Sequence, residues 1–319
     1  MKKLTALLLA VLMLVSLTAC GGGSDNKDAK YTVGVAQLVP HVALDAATQG
    51  FVDRLTEILG EENVDIQVEI AAGDSATCAP IVTDFVSKNV DLIMANATPA
   101  LQAAAAATAD IPILGTSVTE YGVAMGISNF NGTVGGNVSG TSDLADLEKQ
   151  AAMVQEWFPD AKTVGLLYCS AEANYQYQVD AVSALLEAKG ITCTLYPFTD
   201  SNDIQAVCQQ AADNNDVLYV PTDNTAASNA GIIDGICHGK VPVFAGEEGL
   251  CKGCGVATLS ISYYDLGVAT GEMAAKILKG EASVSEMEIG YAATVTPKYN
   301  AANCEALGLT PPAGYEAIG

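Results

Sequence analysis

Short runs of polar side chains recur along this 319-residue chain, each directly after an apolar segment. Pro40-His41-Val42-Ala43-Leu44-Asp45 comes first, and Thr98-Pro99 and Thr116-Ser117-Val118-Thr119 follow in the same half. The second half carries Ser170-Ala171-Glu172-Ala173-Asn174, Thr222-Asp223-Asn224-Thr225, Glu247-Glu248 and Tyr263-Tyr264-Asp265. Hydroxyls dominate the first half and carboxylates the second, a division that suits a small ligand with one anionic and one cationic end. A zwitterion such as an amino acid meets that description. Bond chemistry fits poorly, because the chain has no G-x-S-x-G elbow, no Walker loop and no H-E-x-x-H. Glu247 and Glu248 are adjacent, so in an extended segment they point opposite ways and cannot act as a facing acid pair. No enzyme, cofactor or metal site is expected.

The elements that would position these residues follow one pattern. YTVGVAQLV precedes ALDAATQGFVDRLTEILG, VDIQVEIAA precedes CAPIVTDFVSK, VDLIMANA precedes PALQAAAAATA, and IPILGTSV follows. The series restarts with TVGLLYCS, ITCTLYPF, DVLYVPT and VPVFAGEEG, again separated by helical patterns. Continuous apolar strands joined by amphipathic helices predict parallel sheets covered on both faces. Two series predict an α/β protein of two doubly wound lobes. FNGTVGGNVSGTSD, residues 130–143, is dense in Gly, Asn and Ser and reads as a hinge between them. The late segments ATLSISYYDLGVATGEMAAKILKG and MEIGYAATVTPKYN suit a chain that crosses back more than once. The expected lobes are 31–141 with 262–291, and 142–261 with 292–319. In such sheets ligands sit beyond the carboxyl ends of the strands, against helix N-termini, where the polar runs fall. Thr98 is expected to cap a helix, with Pro99 in its first turn.

The chain opens MKKLTALLLAVLMLVSLTAC. Two lysines and about 14 apolar residues fit an export leader, being too short for the roughly 18 a membrane span needs. Leu17-Thr18-Ala19-Cys20 looks like a bacterial lipobox, with 1–19 removed, lipid on Cys20 and 20–30 as a flexible polar tether. The formal net charge of −23 becomes about −25 once Lys2 and Lys3 leave with the leader. That excess disfavours nucleic acid and anionic lipid surfaces as partners. Eight of the nine cysteines remain after Cys20. Cys251-Lys252-Gly253-Cys254 lies among glycines with no second pair nearby, and is expected to be a loop disulfide or two free thiols rather than a metal or redox site.

VAQLVPHVALDAATQGF, VDLIMANATPALQAA, IPILGTSVTE, TVGLLYCSAEAN, VLYVPTDNTAAS, VPVFAGEEG and ISYYDLGVATGEMAAKILKG, with ALGLTPP near the end, resemble in order the blocks of one family. It is the tryptophan/tyrosine-binding group of ABC-importer substrate-binding lipoproteins. The resemblance implies a type I periplasmic-binding-protein fold and a monomer outside the cytoplasm, lipid-anchored to the membrane. It also implies delivery of an amino acid, often aromatic, to a membrane permease. Carried onto this chain, Thr98 with Thr116 or Ser117 would hold the α-carboxylate, and Asp223 or Glu247 the ammonium. Asn174, Thr222, Asn224 and Thr225 would complete the polar shell, and His41, Leu44 and Tyr264 would face the side chain. The family's Glu-His-Pro reads Pro40-His41-Val42 here, so one wall of the cleft departs from the pattern. A sugar or nucleoside binder, or a sensor domain of the same fold, is the alternative. Arg54 as sole arginine and Trp157 as sole tryptophan weigh against a sugar site.

Overall fold

The structure is a computed structural model that describes residues 29–73 and 75–319. The leader, Cys20 and nearly all of the tether lie outside the described residues. One sheet holds β1 (Tyr31–Gln37), β2 (Val64–Ile70), β3 (Leu92–Asn96), β4 (Ile113–Val118), β5 (Val138–Ser142) and β11 (Gly290–Tyr291), in the order β11-β5-β4-β3-β1-β2. The other holds β6 (Thr163–Cys169), β7 (Thr192–Phe198), β8 (Val217–Val220), β9 (Val243–Ala245), β10 (Ala257–Ile261), β12 (Val295–Tyr299) and β13 (Glu316–Ala317), in the order β13-β12-β10-β9-β8-β6-β7. The inner strands β3, β4, β8 and β9 are buried at every position, as continuous apolar runs between two helical layers require.

Helices α1 (Val42–Leu59), α2 (Ser75–Ser87), α3 (Thr98–Ala107), α4 (Tyr121–Met125) and α11 (Tyr263–Leu278) pack on the first sheet. The second carries α5 (Leu147–Trp157), α6 (Ala173–Glu187), α7 (Ile204–Asn214), α8 (Asn224–Ser228), α9 (Ala230–Cys237), α10 (Glu248–Cys254) and α12 (Ala301–Leu307). Among the described residues no helix is long and apolar enough to cross a membrane. The two doubly wound lobes predicted by the β–α alternation are therefore present.

The chain passes between the lobes after β5, after β10 and after β11, each time leaving a strand at its carboxyl end. These connections form the hinge, which consequently adjoins the mouth of both sheets. One pairing departs from the expected parallel arrangement: β12 runs antiparallel to β10. Chain returning from β11 without an intervening helix enters the second sheet from its carboxyl edge and must run the other way.

Helix α11 carries chain from the hinge back onto α1, and the two axes approach closely. A Cβ on Gly50 would overlap the carbonyl oxygen of Tyr264, and one on Gly267 the carbonyl oxygen of Ala47. Glycine is needed there for contact rather than for an unusual backbone angle.

The Cys251-Lys252-Gly253-Cys254 run corrects the loop expectation, since both cysteines are buried in α10. Glu247 caps that helix, and a Cβ on Gly253 would press on the Ala230 side chain, so close packing against α9 explains the glycine. Both thiols are unpaired, and burial pushes their pKa well up, the state of inert core cysteines.

Candidate functional site

The carboxyl ends of the two sheets face one another. His41, at the start of α1, reaches across to Asn224 at the start of α8, with Nε2 to Oδ1 at 2.9 Å. A cavity of about 440 Å³ lies between Leu38, Val39 and Gly73 of the first lobe and Cys169, Glu172 and Asn224 of the second. A second, of about 500 Å³, opens beside the hinge between Val42 and Ala43 on one side and Glu248 and Lys298 on the other.

In the first lobe the polar groups come from the ends of β3 and β4. Ala97, not Thr98, holds the N-cap position of α3; its φ of 93° and ψ of 157° fall in a region that essentially only glycine occupies. Such a residue costs about 1–3 kcal/mol and persists only where its surroundings impose it. The result is that Thr98 sits in the first turn, buried, and the helix N-terminus receives no side-chain cap. The Thr98 hydroxyl has no hydrogen-bond partner among the described residues, and neither does that of Ser117. Ser117 also has a positive φ of 53°, at the point where β4 ends. Two buried unpartnered hydroxyls and an uncapped helix N-terminus are groups with free hydrogen-bonding capacity toward an anion.

Thr116 serves a different purpose. Its Oγ1 lies 3.1 Å from Oγ1 of Thr141, which lies 2.8 Å from that of Thr270, and Thr270 donates to the Leu266 carbonyl. This hydroxyl chain ties β4 and β5 to α11, so of the pair Thr116 and Ser117 only the second presents a free hydroxyl.

In the second lobe, Asp223 accepts from the N–H groups of Cys169, Thr225 and Ala226, and Glu247 from those of Gly249 and Leu250. Both carboxylates cap helices. Burial nevertheless pushes Asp223 up to about 6 and Glu247 to about 7. Thr222 spends its hydroxyl on the Gly246 carbonyl, and its backbone pairs with the Gln178 amide in both directions. Thr225 gives its N–H to Asp223 and lines the cavity between the lobes. Asn174 is buried at the start of α6, with Oδ1 unpartnered.

Two acids to which the sequence assigned no role join them. Glu172 stands before α6 without capping it: Oε1 accepts from the Tyr175 hydroxyl at 3.0 Å, while Oε2 is buried without a partner. Burial, with Asp223 nearby, pushes it up to about 8. Asp143, in the hinge, accepts from Tyr263 at 2.9 Å through Oδ2 and has its Oδ1 unpartnered; burial pushes it to about 6. Glu172, half-buried, thus lines the cavity between the lobes and Glu247 the one beside the hinge, while Asp143 and Asp223 are buried after neighbouring strands; the described residues lining the cavity at Glu172 include no Lys or Arg. Charge of that kind is stable only if neutralised by protons or by a cation. Among the described residues no group of three or more His, Cys, Asp or Glu is arranged to hold a metal ion.

Two nominated residues are placed elsewhere. Leu44 is fully buried in the first lobe's core, where only its carbonyl meets the site's framework by accepting from Asn96. Tyr264 is half-exposed and donates to Asp53 on the outer surface of α1, its ring lining the hinge-side cavity. The signal for Glu172 and Asp143 was present in their positions, Glu172 within a polar run after β6 and Asp143 at the end of the hinge segment.

The profile of the family described as ABC transporter substrate binding protein matches residues 32–311. A tyrosine-binding protein of Clostridioides difficile (strain R20291) is 34% identical over 302 residues, covering 90% of this chain and 87% of the relative. A domain from Streptococcus pneumonia in complex with L-Trp is 30% identical, with TM-score 0.85, covering 91% of this chain and 100% of that one. The ligand-free, open structure of a substrate binding protein with adhesive properties from Clostridium difficile is more alike in sequence, 38% identical, but superposes less well, at TM-score 0.69 over 90% of this chain and 99% of that one.

Proposed function

The chain belongs to the ABC transporter substrate binding protein family, and from that membership we propose that it captures an aromatic amino acid between its lobes and delivers it to an ABC importer. It is a binding protein, not an enzyme. The α-carboxylate docks at the N-terminus of α3, receiving the hydroxyls of Thr98 and Ser117. The ammonium meets the acidic wall of the second lobe, to whose negative potential Asp223 and Glu247 contribute from their capping positions. Asn174, Asn224 and Thr225 complete the polar shell. The observation that carries this reading is where enclosed, unpartnered groups fall after the strands: the hydroxyls of Thr98 and Ser117 in the first lobe, and one carboxylate oxygen each of Glu172 in the second lobe and Asp143 in the hinge.

An aromatic side chain is supported by the relatives, one a tyrosine-binding protein and one solved with L-Trp. Capture works by closure, because a ligand that touches both walls only when they are together shifts the equilibrium toward that state. The better superposition on the L-Trp complex than on the more identical open structure supports reading the present arrangement as the closed one. The anchor is lipid on Cys20, holding a monomer outside the cytoplasm beside its permease, and no nucleic acid takes part.

Thermal unfolding of residues 31–319 against amino acids, sugars and nucleosides tests the ligand class. At about 100 times its Kd, a ligand specific for the native state adds roughly 2.7 kcal/mol. We expect that shift with L-tyrosine or L-tryptophan. A shift produced only by sugars or nucleosides would leave the fold standing and remove the zwitterion site.

A further inference from the structure

We propose that Glu172 receives the cationic end of the ligand and, through Tyr175, Asn224 and His41, ties its occupancy to the opposite lobe. The inference rests on the reading of the ligand as an amino acid and goes further by naming the recognising group and its link to closure. Asp223 accepts three backbone N–H groups and Glu247 two, so both are committed to holding helix starts. Glu172 occupies an N-cap position but makes no capping bond; the residue lines the cavity between the lobes, and its Oε2 is enclosed and unpartnered. Among the described residues Asp143 is the other carboxylate with an enclosed, unpartnered oxygen, and its Oδ2 partner, Tyr263, begins α11 rather than leading into the second lobe.

From Glu172 a continuous chain of hydrogen bonds leaves for the far lobe. The Tyr175 hydroxyl donates to Oε1 at 3.0 Å and accepts from the Asn224 N–H at 3.1 Å. Asn224 Oδ1 lies 2.9 Å from His41 Nε2. The direction of the last bond follows from the other ring nitrogen: Nδ1 accepts from the Ala43 N–H, so the proton is on Nε2 and His41 donates. Burial lowers the His41 pKa, which keeps the ring in this neutral form. An ionised Glu172 holds the Tyr175 proton, which turns the phenol lone pairs to Asn224 and so orients the acceptor that His41 needs. Tyr175, Asn224 and His41 act as positioning residues for closure in this scheme; Glu172 is the one of the four that takes the ammonium.

The titratable neighbours of Glu172 are Asp223 at the start of α8, Cys169 at the end of β6 and Tyr175 on α6 itself, with Asp200, after β7, lining the same cavity. None supplies a positive charge, and Asp223 raises the Glu172 pKa. Empty, Glu172 holds its proton up to about pH 8. A bound ammonium favours the carboxylate, so binding expels that proton and affinity rises as pH climbs from 6 to 8.

Calorimetry with L-tyrosine and with its deaminated analogue 3-(4-hydroxyphenyl)propanoate, on wild type, Glu172→Gln, His41→Ala and the double variant, tests the scheme. Glu172→Gln is expected to weaken L-tyrosine about tenfold, to bind the analogue no worse than wild type does, and to abolish proton release measured in two buffers of different ionisation enthalpy. His41→Ala is expected to weaken L-tyrosine about fivefold in wild type and to add nothing further in Glu172→Gln. Glu172→Gln that binds L-tyrosine as wild type does, that loses both probes equally, or that adds independently to His41→Ala would overturn the proposal. If wild type binds no aromatic amino acid, the ligand reading itself fails; if it does and Glu172→Gln is silent, only this assignment fails. Asp143→Asn, run alongside, is expected to keep proton release, and its loss there instead would also overturn the assignment.

Discussion

Gly267→Ala is expected to destabilise the protein by about 3 kcal/mol, at the upper end of the range for overpacked sites. The added methyl meets the carbonyl oxygen of Ala47, with the backbone nitrogen of Phe51 close behind at 2.9 Å. Backbone inside a helix cannot swing aside as a side chain can, so α11 must lift from α1 along its length. The consequence reaches the site, because α11 starts at the hinge and α1 starts with His41 as its cap. Gly231→Ala provides the opposite case: it lies in α9 with nothing within 4 Å of the added Cβ. There alanine should be neutral or stabilising by about 0.5–1 kcal/mol, since it restricts the unfolded chain. Denaturant unfolding of both variants decides the matter, and equal effects would mean that the two helices are less tightly apposed.

Thr98→Val is expected to leave folding intact and to weaken L-tyrosine by about 1.5–3 kcal/mol, roughly 10- to 150-fold in Kd, the range for hydrogen bonds to charged groups. The hydroxyl is buried and unpartnered, so in the free protein its removal costs nothing and relieves an unsatisfied group. Only the complex, in which that hydroxyl would meet a carboxylate beside the α3 N-terminus, is affected. Thr116→Val should reverse the pattern, costing about 1 kcal/mol of stability through the broken bond to Thr141 while leaving affinity unchanged. Unfolding and calorimetry on the same two variants separate the cases. An affinity loss in Thr116→Val with none in Thr98→Val would move the carboxylate to the other face of β4.

The architecture was legible because its signal is spread over many residues. Apolar runs such as VDLIMANA and VLYVP, short and bounded by turn residues, fit buried strands, and the amphipathic segments between them fit crossovers. The antiparallel β12 was not legible, since direction depends on where the chain re-enters the sheet and not on the composition of VTPKY. Nor was the helical setting of Cys251 and Cys254: glycines in EGLCKGC mimic loop composition, while their cause is a neighbouring helix far along the chain. Within the site, periodicity placed Thr98 and Ser117 at strand ends but could not distinguish Ser117 from Thr116. That distinction rests on a positive φ and on a hydroxyl chain through Thr141 and Thr270, which are distant in sequence. Asp223 looked free from the sequence because a capping acid and a recognising acid are written identically. Only the backbone N–H groups around Asp223, and their lack at Glu172 Oε2, tell the two apart.

A single calorimetric comparison tests the two-ended site most directly: L-tyrosine against tyramine, which lacks the carboxylate, and against the deaminated acid, which lacks the ammonium, titrated into residues 31–319 at pH 8. If hydroxyls of one lobe and carboxylates of the other each hold one end, L-tyrosine binds far more tightly than either analogue, and each loss is at least tenfold. Equal affinities for all three would contradict the account, because the side chain alone would then be recognised and the sorted polar walls would have no part in capture.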